Sequence, residues 1–374
     1  MQKAWFFFLS FVILFCSAFS VRCLAADYAY VTNSNGNTVS VIQTADESVV
    51  ATINVGVSPS GAVVSPNGKY VYVTNRSENN IYVIRTSDNT VMSDKINVEL
   101  SPQGLDISLD GNYLYVANQG SNTVSVINTS TKEVTSVKVG DSPHSVVVSP
   151  SGGVYVTNQL GSSVSVISTS DHSAYTVSTI DGLGFQPTGI DITPDGAFLY
   201  VANKGRGTVS VIDTSTKKVT HTVNVQGSPH SVAASLSGDH VYVTNQGSNT
   251  VSVISTETKD VVTTIDVGNS PHGLAVTRDG DYLYVANHNE NNLSVIRLSD
   301  NTEIKKINVG NGPTCLGKFV GTVSTDSNGD DNGDDNGDDN GDDNGDENGD
   351  ENGDSDDDSS SGCFISSAYT YNPR

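Results

Sequence analysis

The chain has 374 residues, of which 16% are charged, and its 42 acidic against 19 basic side chains give a formal charge of −23. No basic patch stands out, which speaks against a nucleic-acid-binding role. The charge is unevenly placed: the 17 acidic residues from Asp326 to Asp358 leave only −6 for the rest of the chain.

Residues 1–26 read as a secretory signal peptide. Lys3 supplies a positive start, Trp5 to Phe19 an uncharged apolar core, and Leu24-Ala25-Ala26 small residues for cleavage, with Ala18-Phe19-Ser20 as a rival site. An uncleaved anchor is the alternative, because the apolar stretch is near the lower length limit for crossing a bilayer. Phe15 and Arg22 precede Cys16 and Cys23, so no lipoprotein cleavage box is expected.

One phrase then recurs seven times: Tyr30-Val-Thr-Asn33, Tyr72-Val-Thr-Asn75, Tyr115-Val-Ala-Asn118, Tyr155-Val-Thr-Asn158, Tyr200-Val-Ala-Asn203, Tyr242-Val-Thr-Asn245 and Tyr284-Val-Ala-Asn287. A fixed period of about 42 residues marks a repeat architecture. Within the unit from Gly61 to Pro102, Gly61 to Ser65 is a short apolar strand and Pro66-Asn67-Gly68 a turn. Tyr70 to Thr74 is a β-branched and aromatic strand, ended by Asn75. Ile81 to Ile84 is the third strand, and Lys95 to Val98 lies near a weaker fourth. Tyr70-Val71-Tyr72-Val73 is bulky at both parities, so both faces of that strand are covered. Four short strands per period define a propeller blade, and almost no helix is expected.

Inner strands begin near Gly61, Gly104, Ser145, Gly189, Ser231, Gly273 and Cys315, which makes seven. The chain enters at a second strand (Tyr28 to Asn33) and leaves after a lone inner strand (Cys315 to Val320). The fold class is therefore all-β, a seven-bladed β-propeller of four-stranded blades, closed by pairing the last inner strand with the first strands. Cys315 is expected as a buried free thiol because it sits on an inner strand, where Cys behaves as a small apolar residue; a disulfide with Cys363, which export would permit, is the alternative, and neither a CxxC pair nor a zinc spacing is present.

These repeats resemble the YVTN family of β-propellers, found in secreted and surface-layer proteins of bacteria and archaea. The resemblance covers residues 27–323 and implies a seven-bladed propeller outside the cytoplasm. It implies no shared catalytic activity.

The residues that follow the repeated Pro are Ser60, Gln103, His144, Thr188, His230, His272 and Thr314. They are expected to crowd the axis at one mouth. His144, His230 and His272 are candidate ligands for zinc or copper, and the arrangement is similar to the copper-site propeller of nitrous oxide reductase. Against a metal stands the reading of Pro-His as a repeat consensus, with each ring bonded to a neighbouring loop. Asp106 and Asp191 occupy matching places and are expected to be structural acceptors. The architecture is also similar to seven-bladed lactonases, which use an acid, an Arg and a His in the channel; Arg278 is the one Arg in an inner-strand turn. No Gly-x-Ser-x-Gly elbow in a strand-to-helix setting is present.

Residues 324–361 form an Asn-Gly-Asp-Asp spacer with no apolar side chain from Asp326 to Asp358, expected to be disordered. Its Asn328, Asp330, Asn332 and Asp334 repeat the spacing of oxygen ligands in calcium loops, so loose calcium association is the alternative to a solvated spacer. Residues 362–374, with Cys363-Phe364-Ile365, resemble the CFI-box of some exported bacterial proteins. The function expected from these features is a monomeric, non-enzymatic surface or envelope scaffold for protein or glycan partners. A lactonase-like hydrolase using the channel and a metal-binding propeller are the alternatives.

Overall fold

A computed structural model describes residues 27–323. The expected signal segment 1–26, the acidic spacer with its calcium-type spacing, and the terminal segment 362–374 lie outside the described residues.

Seven antiparallel sheets account for the described strands, and no helix occurs among the described residues. The inner strands are Pro59–Val64, Pro102–Ile107, Pro143–Val148, Pro187–Ile192, Pro229–Ala234 and Pro271–Val276. Each is followed outward by the strand carrying the Tyr-Val-Thr/Ala-Asn phrase and by two more strands. Burial falls from axis to rim. Pro143–Val148 is buried throughout, whereas Thr176–Ile180 at the rim of the same blade is exposed except at its last residue. The Tyr-Val-Tyr-Val strands are covered on both faces because neighbouring blades sandwich them. One apolar cluster joins Tyr72, Ile81 and Val83 of one blade to Leu105, Leu114 and Val116 of the next. No blade can bury its faces alone, so the hydrophobic term is collected at the interfaces and the ring must close.

Closure occurs in the expected sheet with a different register. Asp27, Tyr28 and Ala29 pair with Thr322, Gly321 and Val320, and Asn33 forms a bridge with Pro313. Between those points the chain leaves the regular ladder. Cys315 (φ 49°) and Gly317 (φ 125°) are left-handed or strained, and the carbonyls of Leu316 and Lys318 turn to accept from Ala62 and Val64 of the next inner strand. The expected strand from Cys315 to Val320 is thus shared between two blades, and only Val320–Thr322 is regular. Cys315 is buried and free; burial pushes its thiol up to about 12, and its Sγ accepts from the Thr32 N–H at 3.2 Å. The fourth strand expected near Lys95 is split into Thr90–Val91 and Ile96–Asn97, both paired with Asn80–Arg85.

Candidate functional site

The axial mouth is built by a local device repeated around the ring. The residue before each Pro is left-handed: Ser58, Ser101, Ser142, Gln186, Ser228 and Ser270 have φ between 53° and 58°, and Gly312 has 68°. Its carbonyl accepts a hydrogen bond from the N–H of the residue after the phrase's Asn, as in Arg76 to Ser58 (3.0 Å), Lys204 to Gln186 (2.9 Å) and His288 to Ser270 (3.1 Å). Just past the Pro, all six inner strands shift register against their partners. Such a bulge leaves one N–H without a ladder partner and re-aims a side chain.

The Thr of the phrase meets that orphan. Thr74 Oγ1 accepts from the Gly61 N–H (2.8 Å) and donates to the Gln103 carbonyl of the next blade (2.7 Å). Thr157, Thr244 and Thr32 repeat the pattern with Ser145, Ser231 and Cys315 as donors. The phrase's Asn donates across to the third strand, Asn33 to Ser40 Oγ at 2.9 Å for example. The motif is therefore a bulge-and-blade lock that leaves the positions after Pro and after Asn free to vary.

Those two positions form two rings around a cavity of about 360 Å³. The ring after Pro contributes Ser60, Gln103, His144, His230, His272 and Thr314, and the ring after Asn contributes Ser34, Arg76, Gln119, Gln159, Lys204 and His288. No Asp or Glu lines the cavity. The structure does bring His144, His230 and His272 together, and adds His288. His144 meets His230 edge-on at 5.5 Å between ring centroids, His230 stacks on His272 at 4.5 Å, and His272 stacks on His288 at 4.5 Å. Rings that stack face to face do not turn their nitrogens to one point. Among the described residues no group of three or more His, Cys, Asp or Glu is placed to hold a metal ion.

His144, His230 and His272 are held neutral. Burial first, then the Lys204 and Arg76 charges, lowers His144 to about 4. Burial, then His288 and Lys204, lowers His272 to about 3, and burial with neighbouring rings takes His230 well below its ordinary value. Gln246 donates to His272 Nε2 at 2.6 Å, and His288 Nδ1 lies 3.3 Å from the Pro313 carbonyl, an acceptor for an Nδ1–H. His230 Nδ1 is buried and has no partner among the described residues.

Farther down the inner strand lies a second polar level. Asp106 accepts from the Val148 N–H (2.9 Å) and from Lys318 Nζ (3.1 Å), and Asp191 accepts from the Ala234 N–H (2.8 Å). Both carboxylates thus tie one blade to the next, as expected. Burial raises Asp191. The Lys318 side chain keeps 55% exposure although protein surrounds it, the condition of a group standing in channel water. Burial would lower Lys318, but Asp106 and Asp191 outweigh it and the ammonium is raised.

Arg278 is away from the mouth; it is exposed and donates to Thr322 Oγ1 at 2.5 Å. Arg76 takes the place at the axis that the lactonase comparison gave to Arg278, and no acid accompanies it. Arg76, Lys204 and His288 escaped the sequence reading. Their signal was present: the position after the repeated Asn reads Ser34, Arg76, Gln119, Gln159, Lys204, Gln246 and His288, all polar but not held to one residue type.

Fold and mouth together define a seven-bladed propeller with a cationic, ligand-sized axial pocket. The chain belongs to the YNCE-like beta-propeller family, which its sequence matches over residues 25–320. No curated protein matches the chain. Among solved structures, a candidate 6-phosphogluconolactonase of Bacteroides fragilis is 17% identical, with a TM-score of 0.67, covering 80% of this chain and 98% of that one. A second, from Bacteroides uniformis, is 16% identical, with a TM-score of 0.68 and coverages of 80% and 99%. Dihydro-heme d1 dehydrogenase NirN is 14% identical, with a TM-score of 0.59 and coverages of 80% and 75%. These three neighbours carry the names of enzymes and correct the expectation of a non-enzymatic scaffold for protein or glycan partners. The lactonase-like alternative fits them better. At such identities the likeness fixes the architecture and leaves the chemistry to the side chains.

Proposed function

We propose that the chain is a lactonase-like hydrolase working at the axial mouth. The observation that carries this reading is the convergence of Arg76, Lys204 and the stacked rings of His230, His272 and His288 on one cavity of about 360 Å³ without a carboxylate. A cavity of that size suits a sugar-sized ring. His288 Nε2 takes a proton from water as the water oxygen attacks the lactone carbonyl. The negative charge that develops on the carbonyl oxygen faces Arg76 or Lys204. The ring C–O bond then breaks, the imidazolium returns its proton to the leaving alkoxide, and the product is a hydroxy acid. The reading departs from an acid–Arg–His arrangement in having no acid at the cavity.

The test is hydrolysis of a panel of aldonolactones, 6-phosphogluconolactone included, followed as acid release by the full chain. Turnover above the buffer rate is expected, with His288→Gln lowering kcat by about 100-fold or more. Absence of turnover on every lactone by folded protein overturns the reading. We further propose export, supported by the uncharged apolar run in residues 5–19, with residues 324–361 as a spacer ahead of a CFI-box-like end.

A further inference from the structure

Lactone hydrolysis develops one negative charge, yet the mouth holds two unpaired cations. Seven other Lys and Arg side chains pair with acids, Lys306 with Glu290 and Lys318 with Asp106 among them, while Lys69, Lys138, Arg206 and Lys218 form no ion pair among the described residues but are exposed to bulk solvent rather than set at a cavity. Arg76 and Lys204 have no ion pair or side-chain hydrogen bond among the described residues, although the chain as a whole is strongly acidic. They stand three blades apart in a ring of seven, nearly opposite each other, and both charges are felt at His144. Lys204 is half-buried, and its ammonium is lowered by that burial, so leaving it without a counter-ion has a cost. His230 Nδ1 at the same cavity, on a side chain only 6% exposed, has no partner among the described residues.

We propose that the mouth is a binding site for a small oxyanion, a carboxylate or phosphate group, held by Arg76 and Lys204 with His230 as a further donor. This rests on the lactonase-like reading and deepens it: the substrate carries an acidic group of its own besides the lactone. A charged hydrogen bond at each cation makes the site selective against neutral sugars of the same size.

The experiment is calorimetric titration of the full chain at neutral pH and low salt with sodium gluconate, inorganic phosphate and sorbitol. Gluconate, phosphate or both are expected to bind one to one, which identifies the acid group, and sorbitol is expected not to bind. Arg76→Gln and Lys204→Gln are each expected to weaken binding by about tenfold or more. Thermal unfolding with and without the anion keeps the comparison valid if a variant is less stable, since only the native chain gains Tm from the ligand. No binding of either anion, equal binding of sorbitol, or anion binding that survives both substitutions overturns the proposal. Turnover is not needed for this readout. Anion binding without lactone hydrolysis refutes the lactonase reading alone, and hydrolysis of neutral lactones without anion binding refutes the oxyanion site alone.

Discussion

Replacing Thr74 by Val tests whether the Thr of the repeated phrase is a structural lock. Val has nearly the same shape, so packing is kept and only the hydroxyl is lost. Thr74 is fully buried; without its Oγ1 the Gly61 N–H and the Gln103 carbonyl both lose a hydrogen bond. Each buried group left without a partner costs about 1–3 kcal/mol. The bulge removes the Gly61 N–H from the ladder, so no strand carbonyl takes over. The two together give a loss of about 2–6 kcal/mol, with no change in the denaturant slope. Thr74→Ser keeps the hydroxyl and forfeits one methyl, at about 1 kcal/mol. Urea unfolding followed by far-UV circular dichroism measures both. The reasoning is refuted if Thr74→Val stays within about 0.5 kcal/mol of the native chain, or if Thr74→Ser is as damaging as Thr74→Val.

Three further outcomes are expected. The buried imidazoles take up protons less readily folded than unfolded, so stability holds above pH 6.5 and falls as pH drops toward 4; the His144 shift from 6.5 to about 4 accounts for about 3 kcal/mol of that fall, and His144→Gln flattens the slope of urea stability against pH in this window. Asp88 and Asp300, held at about 2, lose their favourable interactions only at lower pH and do not confuse the measurement. Burial leaves Cys315 as a thiol, so peptide mapping after alkylation at pH 8 should find it unmodified in folded protein and modified in urea. Lys318→Met leaves the buried Asp106 carboxylate with backbone donors alone and costs about 1–3 kcal/mol, channel water softening the loss; adding Asp106→Asn should recover part of it in a double-mutant cycle, and strict additivity would sever the pair.

Blade number, strand order and circular closure were legible in the sequence because they rest on local signals. The 42-residue period, the turn at Pro66-Asn67-Gly68 and the two-faced apolar strand at Tyr70 to Thr74 each need only a few neighbouring residues to be read. The burial of Cys315 followed from its place on an inner segment. The post-Pro ring at the axis was also readable, because position within the unit decides it. What the sequence determined was a rigid torus with seven equivalent places facing one mouth.

The tertiary structure decided which side chains meet there. Arg76, Lys204 and His288 are distant in sequence and become neighbours of the imidazole stack only when the ring closes. Arg278 looked equivalent by turn position but lies at an exposed place, because the inner strand carries its two ends to different levels of the channel. Ring stacking among His230, His272 and His288 depends on the bulge after each Pro, a departure from strand alternation that propensity does not encode. Fold follows from interactions close along the chain, whereas the mouth's charge follows from closure, which sums seven single residues from seven blades into one field.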